Sequence, residues 1–207
     1  PDGQGTFTSQ NENGIRWTYS GAFKNGVFDG KGETTWSDSK WKEVGTYTDG
    51  LFTPNTFELF DSISATEIAP YTISEKNQEF MESHLDLFPA QTEAAQETMS
   101  SLIQKDMTYP MMCKTLTGLE GKLYQCESAV ANQVMQTSYF GHTITRMSCQ
   151  DQDQNYYYIL YNGALPDVYD RTPISFVGLP VSPSGYENVA GGTTNVIVLI
   201  ATSVTTI

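Results

Sequence analysis

A short pattern of glycines and aromatics recurs near the start of the chain with an offset of 24 residues. Gly21, Phe23, Asn25, Gly26, Val27 and Phe28 are matched in turn by Gly45, Tyr47, Asp49, Gly50, Leu51 and Phe52. Gly3 and Gly5 stand to Gly30 and Gly32 as the remnant of an earlier copy. A period this short cannot enclose a core, so each copy reads as one β-hairpin that must pack against its neighbour. Asn13-Gly14, Asn25-Gly26 and Asp49-Gly50 supply turn residues that tolerate positive φ. The aromatics between them would cover the adjoining hairpin, and the glycines would leave room for them.

The unit running from Tyr19 through Gly21, Phe23, Gly26, Gly30 and Gly32 resembles the MORN repeat, whose pattern is Tyr-x-Gly-x-Phe-x-x-Gly followed by Gly-x-Gly. The second copy departs from it: Glu43 replaces the opening tyrosine, and no Gly-x-Gly follows Phe52. That copy looks like a terminal cap. The resemblance spans about residues 1–55 and implies an architecture rather than a reaction. Such repeats serve as spacers, dimerisation elements or lipid-associated surfaces. Lipid association would want a basic face, which this segment lacks, so the resemblance favours a scaffold or a partner contact.

The 207 residues carry 11 Lys plus Arg against 24 Asp plus Glu, a formal charge of −13. Phosphate backbones and anionic bilayers are bound by neutralising cations, so neither nucleic acid nor a membrane surface is an expected partner. The charge concentrates in the middle. Residues 56–104 hold Lys76 alone against nine acids, for a net −8. The longest apolar run, Val196 to Ala201, is far below the ~20 residues of a membrane-spanning helix and reads as a buried strand. The chain opens at Pro1 inside a repeat, as expected of a fragment or a processed form. Few lysines among many Thr, Ser, Asn, Gln and Tyr suit an exported, cell-surface protein of a bacterium.

Residues 56–105 read as an acidic helical segment with two connecting helices. Ser74 caps the first and Glu75 favours its N-terminal dipole. Ile73, Phe80, Met81 and His84 lie near one face, and Pro89 ends the element. The second is expected from about Thr92 to Lys105, with Ala95, Met99, Leu102 and Ile103 as its apolar stripe. Glu75, Glu79, Glu82 and Asp86 read as a solvated helix face, and His84 as a boundary residue.

From residue 106 the chain reads as a β domain, with strands near 122–136, 142–150, 155–162, 173–181 and 194–204. This stretch resembles the OB-fold domains of exported bacterial proteins, which implies a five-stranded barrel. An open five-stranded sandwich is the rival. The expected fold is therefore mainly β: hairpin repeats over 1–55, helices over 56–105, and an OB-like barrel over 106–207.

No catalytic signature stands out: there is no Gly-x-Ser-x-Gly elbow, His-Glu-x-x-His, Walker loop or dinucleotide fingerprint. We therefore expect no enzyme, no cofactor and no metal. The three cysteines, Cys113, Cys126 and Cys149, form no disulfide framework and read as buried, inert thiols, with Cys126 and Cys149 out of bridging reach. Asp151-Gln152-Asp153-Gln154-Asn155 begins like a calcium loop, but Tyr156 and Asn162 stand where such a loop needs Gly and Glu, so a polar hairpin is expected. In a strand, Tyr156 and Tyr158 point to one side, and Tyr157 and Tyr161 to the other. One pair would be core and the other a stacking platform. With the loop over 182–192, this gives the candidate ligand-binding residues Tyr156, Tyr158, Tyr186 and Asn188. The functional expectation is a non-catalytic binding or structural module with a protein or glycan partner. Its alternative is an oligosaccharide-binding barrel face, with an unrecognised hydrolase a distant third.

Overall fold

The computed structural model describes residues 1–188 and 191–207 and divides the chain into two compact units, Pro1–Glu67 and Ile68–Ile207. The boundary falls inside the acidic helical segment.

The first unit is a five-stranded antiparallel meander: β1 (Gly3–Gln10), β2 (Arg16–Lys24), β3 (Val27–Trp36), β4 (Lys42–Thr48) and β5 (Leu51–Phe52). Asn25 and Gly26 turn β2 into β3 with φ of 51° and 85°, and Asp49 and Gly50 repeat the turn at 48° and 84°. Both pairs suit the twist of a tight hairpin. Across the sheet, Gly5, Gly21, Gly32 and Gly45 pair in one continuous row. The row is small because side chains lie flat on it. A Cβ at Gly32 would meet the Tyr19 ring at 2.5 Å, and one at Gly45 would meet the Glu58 side chain at 2.5 Å. Tyr19 is completely buried, stacks on Phe28 at 3.9 Å and meets Tyr47 edge-on at 4.9 Å. Phe23, Phe28, Tyr47 and Phe52 continue the ladder, as the repeat pattern requires.

The sheet is closed below by α1 (Thr56–Ile63), a helix the sequence reading did not resolve. Its signal is a capping box. The Asn55 side chain accepts from the Glu58 N–H at 3.0 Å, and the Glu58 carboxylate accepts from the Asn55 N–H at 2.9 Å. Glu58 also pairs with Lys31 and accepts from Thr46 Oγ1 at 3.0 Å, so one carboxylate ties helix to sheet. Burial pushes this carboxyl up, but Lys31, the Asn55 N–H and Thr46 outweigh it and hold it below its ordinary value. Glu58 therefore stabilises the fold above the ordinary carboxylate range, and that contribution is lost as pH falls through its lowered folded value. All three tryptophans, Trp17, Trp36 and Trp41, belong to this unit, so their emission reports its unfolding. A Glu58→Gln variant should be less stable at neutral pH and should converge on the parent as the pH drops below about 4. An unchanged gap across the pH range would contradict the role given to the carboxylate. Glu43, in the place of the family's tyrosine, is instead raised by burial, against hydrogen bonds from Tyr47 and Trp41 that pull it down.

The second unit contains α2 (Glu75–Ser83), α3 (Glu93–Leu102), α4 (Tyr109–Lys114) and the strands β6 (Tyr124–Tyr139), β7 (His142–Asp151), β8 (Tyr156–Asn162), β9 (Pro173–Glu187) and β10 (Thr193–Thr206). Ser74 and Thr92 cap α2 and α3 as expected, and α4 is a further helix. The strands form a closed barrel in the order β10-β8-β7-β6-β9, with β9 pairing back to β10. β8 and β10 run parallel, and the other neighbours are antiparallel. Inside lie Met147, Cys149, Tyr157, Ile159, Phe176, Ile197 and Leu199, and Met112 of α4 and Met107 just before it join the same core.

The outward neighbours Tyr158, Leu160, Val198 and Ile200 are equally buried. That face is covered by the segment carrying α2 and α3. Asn77 donates to the Pro180 carbonyl at 3.0 Å and accepts from the Gly121 N–H at 2.8 Å, and the Ala90 N–H donates to the Thr202 carbonyl at 2.9 Å. Burial on both faces is why β10 reads as an unbroken apolar run. Glu75, Glu79, Glu82 and Asp86 are exposed, as a solvated face should be. His84 is half-buried, stacked on Phe80 at 4.6 Å.

Candidate functional site

The four candidate residues separate in space. Tyr186 and Asn188 belong to the β9–β10 hairpin. β9 continues to Glu187, six residues past the strand end expected at 181, so Ser182 to Glu187 are strand rather than loop. Pairing of Tyr186 with Thr194 and Glu187 with Thr193 holds this extension straight. At the tip, Asn188 organises the backbone: its N–H donates to the Gly192 carbonyl at 2.7 Å, and its side-chain oxygen accepts from the Gly192 N–H at 3.1 Å. Its amide nitrogen donates to Thr194 Oγ1 at 3.2 Å. Val189 and Ala190, expected in this loop, lie outside the described residues.

Tyr186, Glu187, Asn188 and Thr194 line one wall of a cleft of about 540 Å³, and Gln133 and Ile68 line the rest. Ile68 is 49% exposed. The lining offers an aromatic ring, an aliphatic patch, two carboxamides, a hydroxyl and a single carboxylate. That set can stack on and hydrogen-bond a neutral polar ligand. Gln133 and Ile68 carry no sequence signal that would have paired them with Tyr186, because they come from distant parts of the chain.

Tyr156 and Tyr158 do not line this cleft. Tyr158 retains 1% exposure, which removes it from any stacking platform. The period-2 reading assumed one open face on β8, whereas both are covered. Tyr156 is half-buried, and its carbonyl accepts from the Tyr109 hydroxyl at 3.1 Å. Burial pushes the Tyr109 phenol up to about 12.

The Asp151 turn is a polar hairpin, as expected. Asp151 Oδ1 accepts from the Asp153 and Asn155 N–H groups at 3.0 and 2.9 Å, and Oδ2 accepts from Asn155 Nδ2 and the Tyr157 hydroxyl, both at 2.8 Å. Both oxygens are committed to the turn. Tyr157 continues to the Tyr124 hydroxyl at 2.9 Å, and burial drives its phenol far above the ordinary range. All three thiols are free. Cys126 and Cys149 are buried; burial pushes Cys126 up to about 11 and raises Cys149 as well, which keeps both protonated and unreactive. Cys113 is exposed on α4, against the expectation that all three would be buried.

A second open cleft, about 700 Å³, lies between β6 and the β8–β9 connection, where Tyr169 is 67% exposed above Leu165 and Val134. The sequence reading did not single out Tyr169, which stands outside any strand pattern. Arg146 is 7% exposed and sits 5.1 Å over the Tyr139 ring. One of the barrel's two arginines is thus spent inside the fold.

Residues 19–40 match the MORN repeat. The matched stretch runs from Tyr19 within β2 through the turn and β3 into the link to β4. Neighbouring strands repeat the MORN geometry beyond the match. Gly3 holds φ of 93° where Gly30 holds 105°, and β1 pairs with β2 in the register that joins β3 to β4. Neither curated proteins nor solved structures give a significant match to the chain. Among the described residues, no helix is long and apolar enough to cross a membrane.

Proposed function

We propose that this chain is a non-catalytic binding and structural module of an exported or cell-surface bacterial protein. The hairpin unit extends or docks the molecule, and the OB-like barrel engages a partner. The observation that carries the reading is the division of labour among polar groups. Glu58 and Asp151 are committed to capping and turn hydrogen bonds, whereas the Tyr186–Asn188 cleft is lined by the half-buried Tyr186 ring and the exposed side chains of Gln133 and Glu187. The MORN match supports the same reading, since the repeat supplies a scaffold. Export rests on composition alone.

The cleft favours one specific ligand class, a neutral oligosaccharide. Sugars present apolar faces for a tyrosine ring and hydroxyls for carboxamides. Binding here should slow backbone hydrogen exchange at Tyr186–Asn188 and Gln133 in the presence of a bound glycan. Exchange that changes only elsewhere, or turnover of the glycan, would contradict the assignment.

A further inference from the structure

β6 outruns its partner on one side. β7 pairs with it from Ala129 to Tyr139, whereas β9 pairs with it only between Tyr124 and Val130. Beyond that point, among the described residues, the second edge of β6 meets no strand. The gap lies inside the barrel's own wall: β9 starts only at Pro173, opposite Val130, and the β8–β9 connection runs alongside β6 in its place. Open strand edges normally carry a charge or a proline against unwanted pairing. Asn132 to Ser138 carry neither, and Met135 to Ser138 are exposed. The first rung of a new pairing is already mimicked here. The Val134 N–H donates to Asp170 Oδ1 at 2.8 Å, so a carboxylate stands where the carbonyl of a neighbouring strand would stand. Antiparallel pairing alternates, so the N–H and C=O groups of Gln136 and Ser138 point to the same open side as those of Val134.

We infer that this edge of β6 takes up an extended, apolar and basic peptide segment of a protein partner as an added strand. The main chain of Val134, Gln136 and Ser138 supplies the pairing groups. The 700 Å³ cleft beside the edge supplies the room, and Leu165, Pro166, Val168 and Tyr169 supply an apolar floor for alternate side chains of the peptide. Charge selects the occupant. Among the described residues that line the cleft, Asp170 alone is charged, Asp167 is exposed three positions before it, and the chain as a whole carries −13. Arg171 follows in sequence but does not line the cleft. A lysine or arginine on the peptide is therefore favoured, and an acidic segment is repelled. A second copy of this chain is repelled for the same reason, since it would bring its own Asp170 to the shared edge. The site goes beyond the oligosaccharide reading: the two clefts share no lining residue, so either can fail without the other.

The probe is a blocked peptide, Lys-Val-Thr-Val-Thr-Val-Lys, titrated to about 1 mM into the intact protein. Its lysines stand at both ends so that one meets Asp170 whichever way the peptide runs. Saturable binding is expected, with slowed hydrogen exchange at Val134–Ser138 and in the 165–170 segment. Two further peptides are N-methylated, one at the valines and the other at the threonines. One of them should bind at least about tenfold more weakly and the other about as well as the parent, because only alternate N–H groups face β6. Replacing both lysines by glutamate should weaken binding at least about threefold, and Asp170→Asn in the protein should erase that preference. Gln136→Pro removes an N–H on the open side and should abolish binding without disturbing the pairing with β7. The peptide changes leave the protein's folding untouched. Absence of binding, equal binding of the two N-methylated peptides, equal binding of the lysine and glutamate forms, or protection only elsewhere would overturn the inference. So would protection of Val134–Ser138 that rises with protein concentration before any peptide is added.

Discussion

A Tyr19→Ala variant should lose the hairpin unit while the barrel stays folded. Tyr19 is completely buried, stacks on Phe28, touches Tyr47 and Phe23, and covers two glycines of the central row. Truncating a buried aromatic costs about 3–5 kcal/mol. A unit of this size is stable by only about 3–10 kcal/mol, so the loss is a large share of the whole. The glycines on either side of the gap have no side chains with which to refill it. Tryptophan emission should shift to that of exposed indoles, while the circular dichroism of the barrel survives heating to its original midpoint. A Tyr19→Phe variant keeps the ring and gives up only the hydroxyl bond to the Ala22 carbonyl, for about 1 kcal/mol. If alanine were tolerated as well as phenylalanine, the ladder would not be what holds the sheet together.

Asp151→Ala should be the most damaging polar change in the barrel. It removes the acceptor for two backbone N–H groups, one carboxamide and the buried Tyr157 hydroxyl. Hydrogen bonds to a charged group are worth about 1.5–3 kcal/mol each, and the turn groups recover part of theirs from water, so a net loss of about 3 kcal/mol is expected. Asn retains Oδ1 for the two N–H groups, and Tyr157 can donate to Tyr124 instead, so Asp151→Asn should cost roughly a third as much. Thermal unfolding of the three proteins, with and without added calcium, measures both points. A midpoint that rises with calcium in the parent and not in Asp151→Ala would restore the metal-loop reading and contradict this one.

The two periodicities of the sequence carried most of the architecture. The 24-residue offset located β2 to β5 because each turn needs two residues with positive φ, and Asn25-Gly26 and Asp49-Gly50 are such pairs. Apolar runs located the five barrel strands for a similar reason. What periodicity does not encode is what covers a strand. Tyr158 was placed on an open face because alternation is blind to the segment that carries α2 and α3. The polar bonds that hold that segment, such as Asn77 to Pro180, join residues about a hundred positions apart. Helix α1 escaped notice at a composition boundary, although Asn55 and Glu58 spell a capping box. For the candidate site, Tyr186 and Asn188 were legible only as members of a loop over 182–192, and the strand extension that carries Tyr186 was not. Gln133 and Ile68, the opposite wall, become neighbours only when the barrel closes.

The claim that the barrel binds a neutral partner is tested most directly by one titration. The purified protein and its Tyr186→Ala variant are titrated with neutral oligosaccharides and with a single-stranded oligonucleotide, each at low and physiological salt. The cleft holds a carboxylate, Glu187, and Arg146 is buried against Tyr139, so few counterions can be released. The account predicts weak oligosaccharide binding that ignores salt and falls at least about tenfold in Tyr186→Ala, with no oligonucleotide binding at either salt. Micromolar oligonucleotide binding that collapses as salt is raised would contradict it.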